Sequence, residues 1–161
     1  VFVGYAVGSA PIVSFHYGAR NHAEVHNLYQ KSLRLIAVVS VSMTAASMVI
    51  IPHVAHIFVG YDVLLLALTS RAFRLYALCF LIKGFNIYAS SFFTALGDGV
   101  TSALISFLRT FLFQMAALLL LPALWGLDGV WLAVTAAELA TLAVTVYMFV
   151  TKDQTFHYRH G

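Results

Sequence analysis

Five apolar stretches separated by short polar connectors organise this chain: residues 1–17, 29–51, 70–96, 101–121 and 129–151. The last four reach or approach the roughly twenty residues that a helix needs to cross a hydrocarbon core. They lack the apolar–polar alternation of a barrel strand and are rich in Leu and Ala, so they predict helices. The first stretch is shorter, with about fifteen largely apolar residues before Tyr17 and Val at position 1. Its exit, GSAPIVSFHYGARN at residues 8–21, reads as the last turns of a helix leaving a bilayer. The expectation is a piece of a longer protein.

Punctuation refines these bounds. Pro52 and Pro122 each follow an apolar run and are expected to close a helix. Gly97 and Gly99 flank Asp98, and Gly126 and Gly129 flank Asp128, as in short connections. Pro11 instead lies within a helical pattern, which predicts a kink and makes it the hinge candidate.

Composition settles the class. Hydrophobic residues make up 61% of the chain and charged residues 9%, against roughly 25% charged in soluble domains. Too few charges remain to cover a water-exposed surface, so the chain reads as an all-α, polytopic membrane protein. The single Cys79 excludes an internal disulfide and argues against a thiolate metal site.

The basic residues orient the spans. Arg20, Lys31 and Arg34 border the first connector, and Lys152 and Arg159 lie in the tail, residues 152–161. The preference of Lys and Arg for the cytoplasmic side puts both there, in a plasma (inner) membrane with a cytoplasmic C-terminus. The connectors at Asp62 and at 125–128 then face outward. Arg71 and Arg74 sit against this rule and are expected to snorkel or to contact protein. A net charge of +3 placed at membrane edges gives no nucleic-acid patch.

Candidate chemistry lies where polar groups fall at membrane depth. Lys83 is near the middle of its span, where an ionised lysine costs about 2.5–3.5 kcal/mol. Tyr76, Cys79, Lys83, Asn86, Ser90 and Thr94 recur at helical intervals and share one face. Glu138 lies inside the last span on a face with Thr135, Thr141 and Thr145. Lys83 and Glu138 differ in depth by about 6 Å, close enough for a direct or water-bridged pair. Gln114, mid-span between them, is a candidate third member. A buried ion pair that only fixes register is one reading; a protonatable or cation-binding carboxyl is the other. Arg109 is expected to snorkel, and Ser40, Thr44 and Ser47 to serve close helix packing. His53 and His56 lack further ligands nearby, so no metal is expected there. No nucleophile–base pairing stands out, which points away from an enzyme.

The run at 8–21, ALGDG at Ala95 to Gly99 with Ser106 and Arg109 following, Pro122, and GLDGVWLAVTAAEL at Gly126 to Leu139 together resemble the multidrug and toxic compound extrusion (MATE) family, more narrowly its prokaryotic multidrug-efflux branch. The resemblance implies part of the C-terminal six-helix lobe of a twelve-helix transporter, with helices eight to twelve represented here. It implies export of amphipathic, often cationic compounds in exchange for H+ or Na+ by alternating access. No cofactor is implied beyond the coupling ion, and the partners are the bilayer, the N-terminal lobe and the exported small molecules. Asn86 falls close to a polar position of the family's tenth helix, with an amide in place of a carboxylate, which puts an acidic sodium site in doubt. On this map Lys83, Asn86, Ser90, Gln114 and Glu138 border the ion or substrate pathway. Tyr88, Phe92 and Phe113 supply its aromatic wall. Two other readings stay open: a flippase for lipid-linked sugars, which would need more deep Arg and Lys, and a truncated membrane scaffold that moves nothing.

Overall fold

The computed structural model describes residues 1–156, and all its regular elements are helices. Helices α1 (Phe2–Gly18), α2 (His22–Val59), α3 (Val63–Ala77), α4 (Phe80–Ala95) and α5 (Gly99–Phe107) are followed by a π-helical stretch, Leu108–Phe113, and by α6 (Gln114–Phe156). Residues 157–161 of the tail, with Arg159, lie outside the described residues.

The prolines do not end helices as the sequence suggests. Pro52 and Pro122 lie inside α2 and α6, and α1 runs unbroken through Pro11. Each proline forfeits one backbone hydrogen bond, whereas ending the helix at membrane depth would expose several unsatisfied groups to lipid. The reversal after Pro122 comes at Gly126, whose φ of 59° and ψ of −136° suit glycine. There α6 divides into arms 114–125 and 127–156. A methyl group on Gly129 would stand 2.2 Å from the Leu121 carbonyl oxygen, so the turn closes only on glycine.

Helix α2 and the 99–153 stretch are long and apolar enough to cross a membrane. The α3–α4 pair passes the same test as one span bent by 40°. At its break the Cys79 amide bonds to the Tyr76 carbonyl, 3.0 Å away, which releases the Leu75 carbonyl from its helical partner. In the connector that follows α4, Asp98 caps α5: its carboxylate accepts from the Thr101 amide and hydroxyl at 3.0 and 2.7 Å and meets Lys152 Nζ at 2.9 Å. Burial works against ionisation there, but the Thr101 bonds and the lysine outweigh it and hold the Asp98 carboxyl below its ordinary range.

Helix α4 is the centre of the packing and touches α1, α2, α5 and α6. Its Gly84 admits the closest approach: a methyl there would lie 2.6 Å from the Phe2 ring and 2.9 Å from Ile36. Below it, Tyr29, Tyr88, Phe92, Phe93 and Phe149 form a continuous aromatic cluster with ring centroids 5.0–6.3 Å apart. The two arms of α6 meet through Ala117, Ala133 and Ala137, with Phe113 and Leu121 at the border. Small side chains let helix backbones approach where lipid supplies no hydrophobic drive between them. Outward faces stay apolar, among them Leu119, Leu120, Leu124 and Trp125.

Candidate functional site

The polar faces of α4 and α6 meet at Asn86 and Glu138. Asn86 is fully buried and Glu138 is 5% exposed. The Asn86 amide nitrogen donates to the Glu138 backbone carbonyl at 2.9 Å and to its carboxyl Oε2 at 2.8 Å. The amide oxygen accepts from the Thr145 hydroxyl at 3.1 Å. Both donors of the amide and one of its acceptor positions are therefore matched on α6. This choice of partners fixes the amide orientation and ties two spans together at membrane depth. The Thr141 hydroxyl, also buried, returns to its own helix at the Ala137 carbonyl, 2.8 Å away.

Glu138 is incompletely matched. Among the described residues its Oε1 receives no hydrogen bond, and its only side-chain partner is Asn86. Lys83 does not form an ion pair with Glu138. Depth along the axis brings the two near, but Asn86, one turn from Lys83, takes the carboxyl through a shorter side chain. Lys83 is half-buried, and its side chain has neither an ion pair nor a hydrogen bond among the described residues. The Cys79 thiol, four residues before Lys83, is fully buried.

The other sequence candidates separate from this node. Ser90 joins a hydroxyl cluster with Ser102 and Ser106 on α5, at 2.9 and 2.8 Å, and Thr94 donates to Ser102 at 2.7 Å. Gln114 is half-buried and its side chain makes no hydrogen bond among the described residues, so it does not join Glu138. Tyr88 and Phe92 are each 1% exposed, inside the aromatic cluster of this chain rather than on an open surface. The phase of α4 aims them at neighbouring helices. Phe113 borders the alanine interface. Pro11 is exposed on α1. Arg71 contacts protein, as expected, through an ion pair with Asp128.

Two features escaped the sequence reading. Thr135 aims its hydroxyl at the Leu75 carbonyl that the α3–α4 break releases, at 3.5 Å. Periodicity placed Thr135 on the right face, but only the break supplies its acceptor. Arg109 lies in the π-helical stretch, a geometry that its sequence does not announce and that recurs at functional sites.

The comparisons with known proteins agree with one another. The MatE family model matches residues 1–119. Two solved structures share the fold: the outward-facing and the inward-facing conformation of a multidrug resistance MATE family transporter of the MOP superfamily. Each has a TM-score of 0.86 and 18% identity, over 97% and 99% of this chain. The match covers 35% and 37% of those chains, so this chain spans about a third of the transporters it resembles. No curated protein sequence matches it significantly.

Proposed function

This chain belongs to the MatE family, and on that premise we propose that it forms part of a multidrug antiporter in which Glu138 is the ion-responsive group. The whole transporter exports amphipathic, often cationic compounds in exchange for H+ or Na+ by alternating access. It lies in the plasma (inner) membrane with its C-terminus in the cytoplasm, in keeping with the Lys and Arg placement.

The observation that carries this reading is the buried Asn86–Glu138–Thr145 node. An acid at this depth, joined to a second span by an amide with no spare donor, is a poor structural rivet and a good switch. Gain or loss of a cation at Glu138 changes what Asn86 must satisfy, and so changes the relative stability of α4–α6 arrangements. Pro11, which removes one hydrogen bond from α1, is where that helix bends most readily.

The test is efflux of a fluorescent amphipathic cation by the full-length transporter in proteoliposomes. Glu138→Gln is expected to abolish gradient-driven efflux while the protein remains folded. Efflux at the wild-type rate and with wild-type ion dependence would remove Glu138 from the mechanism.

A further inference from the structure

Resting on the reading of Glu138 as the ion-responsive group, we propose that Lys83 selects the ion: its ammonium is a resident counter-cation for the Glu138 carboxylate, so the site exchanges a proton and excludes Na+.

Lys83 and Asn86 share a face of α4, three residues or about 4.5 Å apart along the axis. Asn86 holds Glu138 at 2.8 Å, so the four-carbon stem of Lys83 needs to span only one turn to bring its ammonium to the same carboxyl. Both partners have a bond left to make: among the described residues the Lys83 side chain has no ion pair or hydrogen bond, and Glu138 Oε1 has no donor. An ammonium in mid-span carries a cost that pairing during part of the cycle offsets.

The site then has two states. With the carboxyl protonated on Oε1, Glu138 is neutral, Asn86 keeps Oε2, and Lys83 stays unpaired. When that proton leaves to the aqueous pathway, the carboxylate draws the ammonium onto Oε1 and the pair becomes neutral. One proton is taken up and one released per cycle, and no other group changes its bonding.

A sodium ion fits neither state. In the first the carboxyl offers no charge, and in the second the ammonium already occupies the favourable position. The neighbouring oxygens do not bar sodium by themselves, since Asn86 Oδ1 accepts only from Thr145 and the Thr141 hydroxyl donates to Ala137 and keeps its lone pairs, so the exclusion rests on the ammonium. On the other elements packed against α6, the charged groups are Arg71, which is paired with Asp128, the exposed Arg74 on α3 and Arg109 in the π-helical stretch, and none of them forms an ion pair with Glu138 among the described residues.

The experiment compares thermal unfolding of the detergent-purified full-length transporter in sodium chloride and in choline chloride at equal ionic strength. A ligand that binds only the folded state raises the midpoint. Wild type and Lys83→Arg are expected to show the same midpoint in both salts. Lys83→Met, which keeps an unbranched stem but removes the charge, is expected to gain several degrees in sodium, and Lys83→Met/Glu138→Gln to lose that gain. Sodium stabilisation of the wild type overturns the proposal, and so does a Lys83→Met protein indifferent to sodium. Proton-gradient efflux separates the two levels: if Glu138→Gln keeps it, the parent reading fails. If Glu138→Gln loses it while Lys83→Met remains sodium-indifferent, the role of Lys83 alone fails.

Discussion

Helix α4 carries two polar clusters built to opposite standards. Toward its C-terminal end, Ser90 and Thr94 meet Ser102 and Ser106 of α5 in short bonds among neutral hydroxyls. Each hydroxyl there finds a partner, and no group can change its charge. Toward the other end, Lys83 and Glu138 are ionisable, deeply placed and only partly matched, with Asn86 as the fixed point between them. The first cluster behaves as mortar between helices. Incomplete satisfaction of ionisable groups at membrane depth distinguishes the second, and the proposed ion-responsive role would need such an unmade bond.

Four substitutions probe that contrast. Asn86→Leu should have the largest effect, about 3 kcal/mol of stability, because it strips Glu138 of its buried donors and leaves Thr145 without its acceptor. Denaturant unfolding of the purified transporter measures it. A loss below about 1 kcal/mol would mean that the node is no better anchored than the hydroxyl cluster. Ser90→Ala should cost about 1 kcal/mol and leave the ion dependence of efflux unchanged. Altered ion dependence would dissolve the distinction between the clusters.

Asp98 tests charge outside the membrane. Its folded carboxyl titrates below its ordinary range, so its contribution is complete at neutral pH and is lost as pH falls through that lowered value. Asp98→Asn should therefore lower stability at neutral pH by about 0.5–1 kcal/mol and flatten the decline in acid, as followed by unfolding midpoints across a pH series. Arg71→Ala should have the smallest effect, under about 0.5 kcal/mol in denaturant unfolding, because the arginine side chain of that ion pair is 68% exposed.

Much of this was legible in the chain. Helical spacing placed Asn86 and Glu138 on inward faces, whereas hydropathy marked only parts of the helices: 29–51 lies within α2, and 70–96 runs across the break between α3 and α4. Counting depth could not identify the partner of Glu138, because which side chain reaches the carboxyl depends on rotamer and helix separation. Tyr88 and Phe92 show a related limit: periodicity shows that a face turns inward, but not whether it meets another helix or an open cavity. The proline positions misled because membrane depth changes the balance between one lost hydrogen bond and an entire exposed helix end.

The π-helical stretch between α5 and α6 sets the direction in which the first arm of α6 presents its small side chains. Before it, Ser102 and Ser106 face α4; after it, Ala117 faces the returning arm at Ala133 and Ala137. Wider winding over Leu108–Phe113 accommodates about one residue more than regular α-helix would, an angular offset of about 100° between the two surfaces. Chain length within this stretch is therefore information. Removing a single residue there would leave composition and hydropathy almost untouched, yet would swing the alanine surface away from its mate, so an alignment gap in this stretch would mark a change of architecture.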